Sequence, residues 1–282
     1  MITIQNESLT VQIAERGAEI KSIVKDGVEY IYPSEPAIWE KSAPILFPIT
    51  GSVKNDTYTH GGKTYHIGKH GFAQYLTYTV EELCENRAVF LLRESEETLA
   101  QYPFAFALRV IYELCDNRLR TTYSVTNHSE EQMYFSIGAH EGYYTPEGIE
   151  DYDILFDEPI TLDHTSLLGP LVTDVKTRVL TESTVLPMYE KFFVSDALVF
   201  ENVTLHTLTL RNRKTQKSVR VDFPFAKNLL LWHKPSAPYL CIEPWAGIPD
   251  RLGTGYELKD KEDILTLSPH TEYRGEHTIT IL

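Results

Sequence analysis

The sequence predicts an all-β fold, a large antiparallel β-sandwich in a single domain spanning residues 1–282. Three observations carry this. Short stretches of alternating apolar and polar residues recur along the whole chain, the period-2 pattern of half-buried strands. The separators are brief and rich in Gly, Asp, Asn and Pro. The helical patterns of about 10–15 residues that βαβ units require are missing. Length alone would suggest roughly two domains, but sandwiches and barrels often exceed that prior as one unit. No linker, low-complexity segment or internal repeat divides the chain.

Residues 2–4, 9–13 and 18–24 alternate, cut by turns at Glu15-Arg16-Gly17 and Lys25-Asp26-Gly27. Asp-Gly between two such runs signals a hairpin, with 28–32 as the return strand ended by Pro33. Residues 39–49 break the pattern. Pro44 and Pro48 oppose both a helix and a central strand, so a buried loop or edge is expected, and such loops tend to carry function. His60-Gly61-Gly62-Lys63 turns into 64–67. Strands follow at 76–83, 88–93, 104–114 and 119–126, with a short helix at Glu96–Gln101 before Pro103. Residues 133–137 read as another strand. The chain is then Pro- and Asp-rich to about Pro170, with a strand near 153–156, and 186–191 suggests a helical turn. Strands at 198–200, 205–210 and 218–223 come next. The basic turn Arg211-Asn212-Arg213-Lys214 reads as a solvated hairpin tip.

Net charge is −14, with 26 Lys and Arg against 40 Asp and Glu. Nucleic acid and anionic membrane are therefore excluded as main partners, since phosphate binding needs a basic face. No stretch approaches the ~18 apolar residues of a membrane helix. The start, MITIQNESLTVQI, has neither the basic nor the apolar region of a signal peptide. Cys84, Cys115 and Cys241 match no zinc or disulfide spacing and are expected as buried, reduced thiols in a cytoplasmic protein.

The chemistry gathers where apolar sequence meets glycine or a turn. The apolar run 229–232 leads through Pro235 and Pro238 into Cys241-Ile242-Glu243-Pro244-Trp245, then Gly247, Pro249 and Asp250. Glu243 is expected at the end of a buried strand. A carboxylate there needs either a partner or a cleft. His70 in His70-Gly71-Phe72-Ala73 and His140 in Gly138-Ala139-His140-Glu141-Gly142 share the setting. Asp196, just before an apolar strand, is a fourth candidate. Strand ends can converge on one cleft face. Imidazole donates and recovers a proton near neutrality, and a carboxylate within hydrogen-bond reach of a hydroxyl is a competent base.

Four of these segments, in order, resemble the galactose mutarotase-like superfamily, closest to the LacX-like branch of the aldose 1-epimerase family. They are Pro44–Pro48 with Gly51, Lys54 and Asn55; His70–Ala73; Tyr134–His140; and Cys241–Asp250. The resemblance implies a β-supersandwich with an open sugar groove, working without metal or cofactor on a small-molecule sugar. It implies mutarotation, with Glu243 as general base and His140 as general acid. His70 would hydrogen-bond the sugar, Asp196 would hold ring hydroxyls, and Trp245 would lie against a sugar face. This sequence departs from the family's pattern where arginines are common: Ser52 and Gln74 stand in their places. Two guanidinium forks are thereby lost. Gln74 would face the sugar instead, and Lys54 would compensate for one arginine. Glu141 follows His140 and would favour its charged form if the two groups approach.

Three functions compete on this reading. The first is an aldose 1-epimerase acting on a hexose or hexose phosphate. The second is a non-catalytic sugar-binding or sensing protein on the same fold. The third is a metal-dependent hydrolase or isomerase using His70, His140 and Glu243, a donor set known for zinc but lacking the close His pair such sites commonly have. Oligomeric state is not legible.

Overall fold

A computed structural model describes residues 1–282. Fourteen strands form one antiparallel sheet. From one edge it runs through Ile137–Gly138, Tyr239–Ala246, Asn228–Trp232, Leu198–Phe200 and Tyr152–Leu168. It continues through Thr207–Asn212, Ser218–Asp222, Glu272–Ile281, Arg118–Asn127, Phe106–Cys115, Arg87–Arg93 and Thr79–Leu83. Glu141–Tyr144 also pairs with Tyr239–Ala246, and Leu171–Pro187 with Tyr152–Leu168. The N-terminal strands Ile2–Gln5, Thr10–Ile13, Ile20–Lys25 and Val28–Glu29 make a separate four-stranded sheet. The expected all-β sandwich is the observed fold. Its layers are tied by buried cross-contacts: the Tyr112 hydroxyl donates to the Ala18 carbonyl at 2.7 Å, and His277 lies 3.0 Å from Glu141. A continuous cluster of 60 buried apolar residues fills the interior.

The alternating stretches fall on strands, and the helix at Glu96–Gln101 stands where its cap predicts. Ser95 accepts from the Thr98 N–H, while the Thr98 hydroxyl accepts from the Ser95 N–H, a reciprocal cap of the capping-box kind. The region 153–187 differs. A long hairpin, Tyr152–Leu168 with Leu171–Pro187, replaces the irregular stretch, and the helical turn shifts to Glu190–Phe193. Much of the second strand is exposed, and the pairing slips register repeatedly. With few buried positions, no apolar alternation marked it. The basic turn is a hairpin tip, with Arg213 and Lys214 paired to Asp153 and Asp151. All three cysteines are free, but Cys84 and Cys115 are exposed, at strand ends, and only Cys241 is buried. No helix is long and apolar enough to cross a membrane.

Residues 42–53 are the buried loop that the prolines indicate. The loop touches two of the histidine segments through single bridges, Leu46 to Gly138 and Phe47 to Gly71. Both glycines are needed at the contact. A Cβ on Gly71, whose φ is +68°, would sit 2.3 Å from the Phe47 carbonyl oxygen, and one on Gly138 would sit 2.5 Å from the Trp245 ring. The loop is also clasped from below. Asp250 accepts from the Lys54 N–H at 2.8 Å and from the buried Lys261 ammonium at 2.8 Å, and Lys261 also donates to the Ile248 carbonyl at 2.6 Å.

Removing one partner of a buried ion pair strands the other charge. Lys261→Met is therefore expected to cost about 3 kcal/mol of stability, read as a lower urea midpoint with an unchanged slope.

Candidate active site

A cavity of about 480 Å³ opens beside this loop, lined by His70, His140, Asp196, Glu243, Gln74 and Trp245 among others. The volume falls in the usual range for small-molecule sites. Six of the seven residues singled out in the sequence thus face one space. Lys54 does not. Its ammonium lies 4.9 Å from the centre of the Tyr256 ring, because its backbone N–H is committed to Asp250 and the side chain leaves on the other side of the loop.

Glu243 is not at a strand end. It is the fifth residue of the eight-residue strand Tyr239–Ala246, opposite Leu230 and 2 % exposed. What ends there is the pairing on the other side. Ile137–Gly138 pairs with Ala246 and Trp245, and Glu141–Tyr144 resumes at Ile242, so Ala139 and His140 are skipped. Pro244 lies opposite this gap and has no N–H to give the ladder. Its carbonyl accepts from the Ala139 N–H at 3.1 Å, and the Ala139 carbonyl is satisfied by the Trp245 indole N–H at 3.1 Å. The freed segment places His140 Nε2 3.2 Å from Glu243 Oε2.

Trp245 lines the cavity but has no free donor to offer a sugar. Its N–H is used, and its ring stands edge-on to His70 with centroids 5.5 Å apart. Two further aromatic walls are the half-buried Trp39 and Trp232, whose ring centroids lie 5.4 and 5.9 Å from that of His140. Neither was singled out in the sequence. Trp232 closed an apolar run and Trp39 sat in the irregular segment, so only an aromatic count in those places would have found them. Lys69, exposed and lining the cavity, was hidden beside the more informative His70.

His70 is anchored in both directions to Gly51. Its backbone N–H donates to the Gly51 carbonyl at 2.7 Å, and its ring Nδ1 accepts from the Gly51 N–H at 3.0 Å. An Nδ1 that accepts leaves Nε2 as the protonated nitrogen of the neutral ring. Asp196, with φ of +131°, accepts from the Ala197 N–H at 2.9 Å. Glu141 does not approach His140. It faces Ile242 across the ladder, so it projects to the opposite side of the sheet from Glu243, into the interior, where it meets His277.

Burial dominates the electrostatics. It pushes His140 down to about 3, helped by Lys69. It pushes His70 well below the usual imidazole range, with His140 and Lys69 adding to the shift. It pushes Glu243 well above the usual carboxylate range; Lys69 opposes this, while Asp196 and Glu141 reinforce it. Burial therefore shifts the balance of the pair away from the ion pair and toward its neutral form. His140, Cys241 and Glu243 also offer donor atoms within 4.8 Å of one another. That set differs from the one the sequence suggested, with Cys241 in place of His70. Burial raises the Cys241 thiol well above its usual range.

The aldose 1-epimerase family model matches residues 1–279. The chain belongs to the aldose 1-epimerase family. It is similar to the chromosomal LacX protein of Lactococcus lactis, 35 % identical over the whole chain and 99 % of that protein. Among solved structures, a galactose mutarotase-related enzyme from Lactobacillus acidophilus is 34 % identical with a TM-score of 0.93, covering 100 % of this chain and 97 % of the other. A galactose mutarotase-like protein from Lactobacillus casei is 29 % identical with a TM-score of 0.94, both chains covered in full. Membership in this family supports an epimerase-type, sugar-handling protein.

The buried neutral imidazole has a stability consequence. The unfolded chain takes up a proton at His140 as pH falls below about 6.5, whereas the folded chain does not until about 3. Each pH unit in that window costs about 1.4 kcal/mol from this one group. His70 acts in the same direction, and Glu243, raised in the fold, acts in the opposite one. His140→Gln is expected to flatten the acid-side fall of stability between pH 6.5 and 4, measured by urea unfolding across that range.

Proposed function

We propose that this protein is an aldose 1-epimerase, interconverting the α and β anomers of a hexose or hexose phosphate. The observation that carries the reading is the His140–Glu243 pair, 3.2 Å apart and buried in the wall of an open cavity. With sugar bound, the pair's single proton sits on His140 and Glu243 is a carboxylate. Glu243 takes the proton of the anomeric hydroxyl while His140 Nε2 protonates the ring oxygen. The C1–O5 bond breaks, leaving an open-chain aldehyde. Rotation about C1–C2 presents the other carbonyl face. Reclosure returns one proton to His140 and one to the new anomeric hydroxyl, so no proton is gained or lost overall.

Ring opening moves the pair from its charged to its neutral form. Burial favours the neutral form, so desolvation pulls the reaction toward the open chain. The cost falls on binding, where the charged form must be held by neighbouring dipoles and charges. His70 presents its Nε2–H for the ring oxygen, supported behind by Gly51 and Trp245. Asp196 and Gln74 take ring hydroxyls, and Trp39 and Trp232 offer apolar faces to the sugar ring.

The test is a panel of α-aldoses, free and phosphorylated, followed by polarimetry. At least one should equilibrate faster with protein. Glu243→Gln and His140→Ala should each lower kcat by about 10²–10⁴, and a chelator should leave the rate unchanged. No acceleration for any sugar would leave a binding protein. Loss of activity with chelator would point to a metal at His140, Cys241 and Glu243.

A further inference from the structure

We propose that Trp39 is a positioning residue for His140, its indole holding the imidazole plane so that Nε2 meets Glu243. This rests on the reading of His140 as the acid. A working imidazole is commonly aimed by a hydrogen bond at its second ring nitrogen. His70 has that bond, from the Gly51 N–H to Nδ1 at 3.0 Å. His140 has none: its Nδ1 is buried without a hydrogen-bond partner. The His140 ring is held at one point, where Nε2 lies 3.2 Å from Glu243 Oε2. One such contact decides which edge faces the carboxylate. It leaves the plane free to swing, because χ2 of histidine is a broad torsion.

Packing sets the plane instead. His70 and Trp232 cross the His140 ring at 86° and 76°, with centroids 5.6 and 5.9 Å away. Trp39 is nearer, at 5.4 Å, and inclined by only 32°. It is therefore the wall that limits swinging. Trp39 has a built seat of its own. It lies nearly parallel to Tyr32, at 17°, and its centroid is 5.0 Å from that of Tyr239 and 5.6 Å from that of Trp232. A Cβ on Gly142 would lie 2.9 Å from Trp39 Cζ3, so the strand that continues from His140 is bare where the indole edge rests. The Gly142 N–H donates to the Ser42 carbonyl at 2.7 Å, which ties that strand to the chain three residues beyond Trp39. Wall and acid are thus fixed to the same stretch of backbone. Trp39 itself comes from a surface segment. Residues 35–37 and Glu40 are exposed, and the Lys234 ammonium donates to the Ile38 carbonyl at 2.6 Å. The indole packs on a small cluster that includes Tyr32 and Tyr239, apart from the main core, so its removal should spare the fold.

The direct test is NMR on the sugar-free protein at one pH, with the His140 ring protons assigned by their loss in His140→Gln. Nuclear Overhauser cross-peaks from His140 to the ring of His70, which Trp39 does not stack on, report the plane. They should lose most of their intensity in Trp39→Ala and keep most of it in Trp39→Phe, where a flat ring still covers the imidazole. Trp39→Leu, which fills the seat without a flat face, should behave as Trp39→Ala and serves in its place should that variant be unstable to urea. Unchanged cross-peaks in both Trp39→Ala and Trp39→Leu overturn the proposal. In the mutarotation assay, Trp39→Ala should lower kcat by about 10–100-fold, as a displaced acid would, and Trp39→Phe should recover most of the loss. A rise in KM with kcat unmoved also overturns it, since that marks a sugar contact only. A wild-type protein that turns over no aldose, yet loses the His140–His70 cross-peaks in Trp39→Ala, would sustain the positioning and defeat the epimerase reading.

Discussion

One constraint governs this molecule: a carboxylate and an imidazole are buried within 3.2 Å of each other in the wall of a cavity. In water the imidazole is the more basic of the two, so a single proton shared by the pair would sit on it. Burial in the wall of this cavity disfavours both charges and shifts that balance toward the neutral form. The two forms differ only in where the proton sits, and their burial makes that difference sensitive to whatever enters. A sugar brings hydroxyl dipoles that favour the charged form. Breaking its ring returns the pair to the neutral one.

The fold supplies the pair by withholding a hydrogen bond. Pro244 cannot donate to the neighbouring strand, and the ladder opens where Ala139 and His140 pass it. The opening would leave the Ala139 carbonyl bare, but the Trp245 indole fills that need. The two residues that follow Glu243 in sequence thus shape its partner's position, one by lacking a donor and the other by supplying one. Gly138 permits the close approach of the Trp245 ring, and the Pro-rich loop packs against both histidine segments. Asp250 and Lys261 clasp that loop from the side away from the cavity.

Much of this was legible in the sequence. Period-2 alternation located most strands because they have one buried face. It failed for Leu171–Pro187, where only three of the 17 residues are buried and nothing forces an apolar face. Glu243, His140 and His70 stood out because ionisable residues beside glycine are unusual in apolar β sequence. Their mutual distance could not be read, since it depends on a gap in pairing between segments about 100 residues apart. Directions of side chains were least accessible. Lys54 and Glu141 sit beside the right residues in sequence and point away from the cavity, one across a loop and the other through the sheet. Lys69 was overlooked although it adjoins His70, because one lysine in a turn has no signature until its neighbours' partners are known.

The central claim is that His140 and Glu243 act as one unit around one proton. The measurement that bears on it most directly is a double-mutant cycle on the α–β exchange rate, read by exchange NMR with Glu243→Gln, His140→Gln and the double variant. Residues that work as a unit are non-additive, so the double variant should be about as slow as the slower single one. Losses that multiply would contradict the account, because they would mean that each group contributes without the other.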